Sequence, residues 1–156
     1  MAVKPIPEGY HTLTTWLALD NAAEAIDFYK RAFGAKERSR MDAPGGKIGH
    51  AELQIGDSLV MLSDVFPQSK ARPPREIGAP TAGLFMYTED VDSAVQKAVD
   101  AGATIEMEPE DMFWGDRFGT VVDPYGHIWS IATHTRDLSP EEIAEGAKAA
   151  MAAMAG

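Results

Sequence analysis

The sequence predicts an α+β fold: two βαβββ modules followed by a C-terminal helix. Three observations carry this. An order of strand, helix and three strands runs once through the first half and restarts near residue 83. Both helices close on a Gly-Ala pair, Gly34-Ala35 and Gly102-Ala103. Between the two runs, residues 64–82 hold four prolines and no periodicity, as a linker does. One such unit has too little core to fold comfortably alone, whereas two can share one. The expected organisation is a single domain over residues 1–138, with module one at about 8–64, a linker at 65–82 and module two at about 83–134, and then a helix over 139–156.

The elements follow in order. Residues 1–9, with Pro5, Pro7 and Gly9, read as an extended arm, and 10–19 (YHTLTTWLAL) as a strand. Asp20 and Asn21 offer a helix cap, with Glu24 placed as in a capping box. The helix from Ala22 to Phe33 sets Ala22, Ile26, Tyr29 and Phe33 on one stripe, and Gly34 ends it. Strands are expected at Lys36–Met41, Lys47–Ile55 and Ser58–Ser63, with turns at Ala43–Gly46 and Gly56-Asp57. Along Lys47–Ile55, His50, Glu52 and Gln54 take one face, and Ala51, Leu53 and Ile55 the other. In the second run, Gly83–Glu89 reads as a strand and Val91–Ala101 as a helix capped by Asp90. Strands follow near Thr104–Glu108, Gly119–Val122 and His127–Thr133. Asp123-Pro124-Tyr125-Gly126 has the chemistry of a type I turn. Ser139, Pro140, Glu141 and Glu142 announce the last helix, whose Ala- and Met-rich text either packs on a partner subunit or frays.

Composition narrows the function classes. The 156 residues carry Lys+Arg 14 against Asp+Glu 24, a net charge of −10, which argues against nucleic acid or an anionic membrane as partner. Cys is absent, which removes disulfides, thiolate nucleophiles and Cys-based zinc sites. No apolar run has the form of a signal peptide or the length of a membrane span, so a cytoplasmic protein is expected. No phosphate loop, nucleophile elbow or Gly-rich dinucleotide turn is found, which disfavours phosphotransfer, serine hydrolysis and S-adenosylmethionine chemistry.

The paired βαβββ order, the helix text EAIDFYKRAFGA, the strand text GHAELQIGDSLVMLSD and the stretch FWGDRFGTVVDPYGHIWSIATH together resemble the vicinal oxygen chelate superfamily. This group includes glyoxalase I, bleomycin- and fosfomycin-resistance proteins and extradiol dioxygenases, and the chain looks most like its PhnB-like branch. The resemblance covers about residues 8–138. It implies curved mixed sheets around a cleft, helices on the outer faces, a small-molecule ligand and a homodimer. In metal-dependent members the ligands sit on the first and last strands of each module. The matching positions here are Thr14, Met61, Leu84 and Ser130, which cannot assemble a divalent oxygen and nitrogen site. The family metal is therefore expected to be absent and no cofactor is expected.

The expected reading is a small-molecule-binding protein of this fold. The alternative is a glyoxalase-like lyase, isomerase or dioxygenase relative using His50 and Glu52, with or without a divalent metal. Expected cleft residues are Thr14, Trp16, His50, Glu52, Met61, Ser63, Leu84, Trp114, Phe118 and Ser130. Trp114, with Phe113 and Phe118 nearby, either covers a planar ligand or forms a small apolar cluster at an interface. Trp129 should pack as core. His11 reads as surface, His127 as structural or surface, and His134 as a strand-end hydrogen bonder. Asp116 and Arg117 read as a local ion pair.

Overall fold

The computed structural model describes residues 3–156. The chain divides into two compact units: one runs to Thr81 and includes Pro124–Gly126, and the other holds Ala82–Asp123 and His127–Gly156. Each contains one four-stranded mixed sheet.

In the first unit, β1 (Thr15–Leu19), α1 (Ala22–Phe33), β2 (Lys36–Ala43), β3 (Lys47–Ile55) and β4 (Ser58–Asp64) follow in sequence. The spatial order is β1-β4-β3-β2. β1 runs parallel to β4, and the other pairs are antiparallel. Asn21 caps α1 by accepting from the Glu24 amide, and Gly34 closes the helix at φ 65°, a conformation that costs glycine nothing. The buried stripe is wider than the spacing predicts. Ala25, Phe28 and Ala32 join Ala22, Ile26 and Tyr29, while Phe33 is only half-buried. The helix lies on a sheet face made by Leu17, Leu19, Ala51, Leu53, Val60 and Leu62. Asp64 fixes the helix entry: its buried carboxylate accepts from the amides of Ala22 at 3.0 Å and Ile48 at 2.7 Å. Tyr125, from the turn segment of this unit, sets its ring edge-on to Phe28 at 6.0 Å. The proline-rich stretch is partly ordered, with a short helix, α2, at Pro74–Ile77. Arg75 from α2 forms a two-pronged pair with Asp20, 2.8 Å on each prong.

The second unit repeats the plan with β5 (Gly83–Tyr87), α3 (Val91–Ala101), β6 (Thr104–Asp111), β7 (Asp116–Val122) and β8 (Ile128–His134), ordered β5-β8-β7-β6. Asp90 caps α3 through the Ser93 amide. Val91, Val95 and Ala98 bury against Val121, Trp129 and Ile131 of the sheet. Trp129 is core, and its indole N–H donates to Asp123 at 3.0 Å. β7 begins at Asp116, three residues before the expected start at Gly119, because the Met112–Gly115 loop pairs directly into the ladder through the Met112 amide and Asp116 carbonyl.

The last helix, α4 (Pro140–Ala155), has a complete capping box between Ser139 and Glu142. It runs as one helix to Ala155. Its half-buried stripe is Ile143, Gly146, Ala147 and Ala150, and Gly146 is the point of closest approach: a Cβ there would stand 2.9 Å from the Cβ of Phe113. Met151 and Met154 remain exposed.

Candidate functional site

Each sheet buries one face under its helix and leaves the other open. These open faces carry the candidate site residues, and strand register assigns them.

In the first unit, Trp16 pairs with Met61, and Met61 with Glu52, so the three form one row across β1, β4 and β3. Ala18 pairs with Ser63, and Met41 with His50. The Trp16 indole N–H donates to the Ser63 hydroxyl at 3.2 Å, which holds the ring across the sheet and covers Ser63. Thr14 precedes β1 and is half-buried. His50 Nε2 and Glu52 Oε1 are 3.4 Å apart, a loose contact between i and i+2 side chains on one strand. The Glu52 carboxyl is held below its ordinary value by Tyr10 first and by His50 second, against the opposing effect of burial. The Tyr10 hydroxyl is enclosed and has no well-aligned hydrogen bond. Burial, and then the facing Glu52 carboxylate, raise its pKa. The Arg38 guanidinium lies 6.0 Å from the Tyr10 ring centre. The arrangement is thus a Tyr-Glu-His row at the edge of an open sheet face, a group that can accept and donate hydrogen bonds.

In the second unit, the register corrects one expected position. Leu84 pairs with buried Trp129 and shares its helix-side face, whereas Phe85 pairs with Ser130 on the open face. The strand start at Gly83 is as expected, but its pairing with β8 sets the alternation one residue out of step with the reading that put Leu84 in the site. The open face therefore holds Phe85 and Tyr87 from β5, Ser130 and Ala132 from β8, and Phe118 and Thr120 from β7. Their rings form a continuous ladder: Phe85–Tyr87 at 5.1 Å, Phe85–Phe118 at 5.7 Å, Phe118–Trp114 at 5.6 Å and Trp114–Phe113 at 5.1 Å between centroids. Phe85 is 55% exposed and Tyr87 62%. Large aromatic residues with that exposure on a sheet make an exposed apolar surface.

A polar hub closes one end of the ladder. The buried Asp116 carboxylate accepts from His134 Nδ1 at 2.7 Å and from both the Tyr87 hydroxyl and the Trp114 indole at 3.0 Å. His134 Nε2 meets Asp137 at 2.9 Å. Burial works to raise the Asp116 carboxyl, but its three donors, His134 foremost, hold it below the usual range. The same bonds, to Asp116 first and Asp137 second, raise His134. Asp116 and Arg117 do not form the expected ion pair, because adjacent strand residues point to opposite faces. Arg117 instead grips Asp92 at the start of α3 at 2.7 and 2.8 Å. His11 is exposed, and His127 is buried in the Asp123–His127 turn. Composition gave no sign of the hub, since its members lie 2 to 29 residues apart; the period-2 alternation of Asp116, Phe118 and Thr120 was the one available signal.

The positions matched to family metal ligands present a hydroxyl at Thr14, a thioether at Met61, an aliphatic side chain at Leu84, on the helix side, and a hydroxyl at Ser130. Among the described residues, no three His, Asp or Glu side chains are grouped as a metal-binding set. No helix among them is long and apolar enough to cross a membrane.

Two four-stranded mixed sheets, each with one helix-covered and one open face, define a glyoxalase-like α+β protein. Residues 11–131 match the Glyoxalase/Bleomycin resistance protein/Dioxygenase superfamily, and the chain belongs to that family. An uncharacterized protein of Mycobacterium tuberculosis is 42% identical over 134 residues, covering 84% of this chain and 79% of that protein. TioX from Micromonospora sp. ML1 is 29% identical with a TM-score of 0.64, over 80% of this chain and 99% of that one. A PhnB protein from Bacillus cereus, titled a putative 3-demethylubiquinone-9 3-methyltransferase, shares the fold at 19% identity with a TM-score of 0.62, over 79% and 99% of the two chains.

Proposed function

We propose that this protein binds a small planar organic molecule on an open sheet face, without a metal ion. The observation that carries the reading is the ladder of Phe85, Tyr87, Phe118 and Trp114, ring against ring, with Phe85 and Tyr87 exposed on the sheet face and Trp114 beside it in a loop. Aromatic rings offer a flat ligand stacking area at little conformational cost. The metal-free part rests on donor chemistry: two neutral hydroxyls, a soft thioether and an aliphatic side chain do not fit a divalent ion that prefers carboxylate and imidazole.

The test is intrinsic tryptophan fluorescence titrated with a broad panel of planar aromatic compounds. Trp114 should respond, and Trp114→Phe should remove most of the signal. Silence across the panel would sink the reading. Metal content measured after purification without chelators, with thermal shifts on adding Zn, Ni, Mn or Fe(II), checks the second half. Stoichiometric metal or a clear stabilisation contradicts it.

A second reading has its own observation. The support is that Tyr10 and His50 hold the Glu52 carboxyl low on the first unit's open face. A lyase or isomerase working through this pair would show a bell-shaped pH profile that His50→Ala abolishes. The reading also includes a homodimer, which sedimentation of the full chain tests directly.

A further inference from the structure

The fixed charges around the aromatic ladder are of one sign, with one titratable histidine among them. On β6, Glu110 pairs with Phe118, so its side chain falls on the ladder's own face. Glu106 reaches that face as well, its carboxylate taking the Thr120 hydroxyl at 3.3 Å. Asp116 lies at the strand end with Tyr87 and Trp114 on it, and Asp137 follows behind His134. The cations of this unit are committed elsewhere. Arg117 points to the helix side and is held by Asp92 and Asp111. Arg136 donates to the Met112 carbonyl, Lys148 pairs with Glu145 on α4, and Lys97 is an exposed residue of α3, on the sheet's helix side. Among the described residues of this unit, only His134 brings titratable positive charge to the face, and it is already shared between two carboxylates.

Resting on the ligand-binding reading, we infer that the second unit's open face selects a planar aromatic cation. Its rings stack on Phe85, Tyr87 and Phe118, and its positive charge sits toward Glu106 and Glu110. Aromatic faces attract cations through their quadrupoles, and the flanking carboxylates add Coulomb attraction in the same direction. An anionic ligand of the same shape meets these carboxylates with no free cation to offset them.

Three tricyclic probes of matched shape test this: the cation proflavine, neutral acridone and the anion acridine-9-carboxylate, each titrated by calorimetry at low and high ionic strength. The expected result is a Kd order of cation, neutral, anion, with the cation about tenfold tighter than the neutral probe at low salt and the gap shrinking at high salt. E106Q/E110Q should weaken the cation about tenfold and leave acridone unchanged. Phe85→Ala should weaken both, and Phe85 is exposed enough for the variant to fold, as circular dichroism checks. If acridone binds as tightly as proflavine, or the double variant leaves proflavine unaffected, the charge selection is overturned while the ligand-binding reading stands. If no probe binds and Phe85→Ala turns a dimer into a monomer, the face is covered by a second copy and both readings fall.

Discussion

The Asp116 hub gives the sharpest quantitative test. Asp116→Asn removes the charge and turns one acceptor into a donor that faces other donors. Three bonds onto an ionised carboxylate are lost or weakened, each worth about 1.5–3 kcal/mol when fully sheltered. Tyr87 is 62% exposed and His134 is exposed too, so both can turn to water and recover part of their loss. The Trp114 indole, half-buried against Phe113 and Phe118, recovers less. The expected total is therefore about 2–4 kcal/mol rather than the full sum. For a chain of 156 residues this is a fall in Tm of about 4–16 °C.

Its pH dependence has a definite sign. The folded Asp116 carboxyl is depressed, so its contribution is present above the unfolded value of about 3.9 and is lost as pH falls through the folded value. His134 is raised, so its contribution is complete below the unfolded value of about 6.5 and fades as pH rises through the folded value. Urea denaturation of wild type and Asp116→Asn should show the largest difference between about pH 4 and 6.5, shrinking on the alkaline side. A difference below about 0.5 kcal/mol, the ordinary scatter of surface changes, would refute the reasoning. So would one that grows above neutral pH.

Two further substitutions test the scaffold. Asp64→Ala orphans the buried amides of Ala22 and Ile48 at the start of α1 and should cost about 3 kcal/mol by urea denaturation with an unchanged m-value. Gly146→Leu places a side chain where Phe113 leaves no room, so amide exchange should quicken across α4 while β7 and β8 keep their protection.

Most of the fold was legible in the text. Helix bounds at Ala22–Phe33 and Val91–Ala101, and the strand Lys47–Ile55, coincide with the structure because each is bracketed by local chemistry: Asn21 and Gly34, Asp90 and Gly102, Gly46 and Gly56. The buried stripe of α1 was read too narrowly, because Phe28 is buried by Tyr125, nearly a hundred residues away. The hub was illegible for the same reason. Asp116 beside Arg117 has the look of a neighbouring ion pair, and only the strand's pleat sends Arg117 to α3 and Asp116 to the other face.

The one-residue error at Leu84 bears on function more than its size suggests. Period-2 alternation leaves two registers, and the choice needs an anchor outside the strand. The run Gly83–Tyr87 offers apolar residues on both faces, so composition cannot choose. The partner strand does: Trp129 is core, Leu84 stands opposite it, and Phe85 and Tyr87 are thereby turned to the open side. With Leu84 in the site, the face reads as aliphatic with one aromatic loop near it. With Phe85 and Tyr87 there, four rings line up and end at a buried carboxylate. The equivalent place in the first unit, opposite Met61, holds Trp16. Both units thus put an aromatic ring on the open face of the first strand, opposite the last strand, and the feature is repeated rather than isolated.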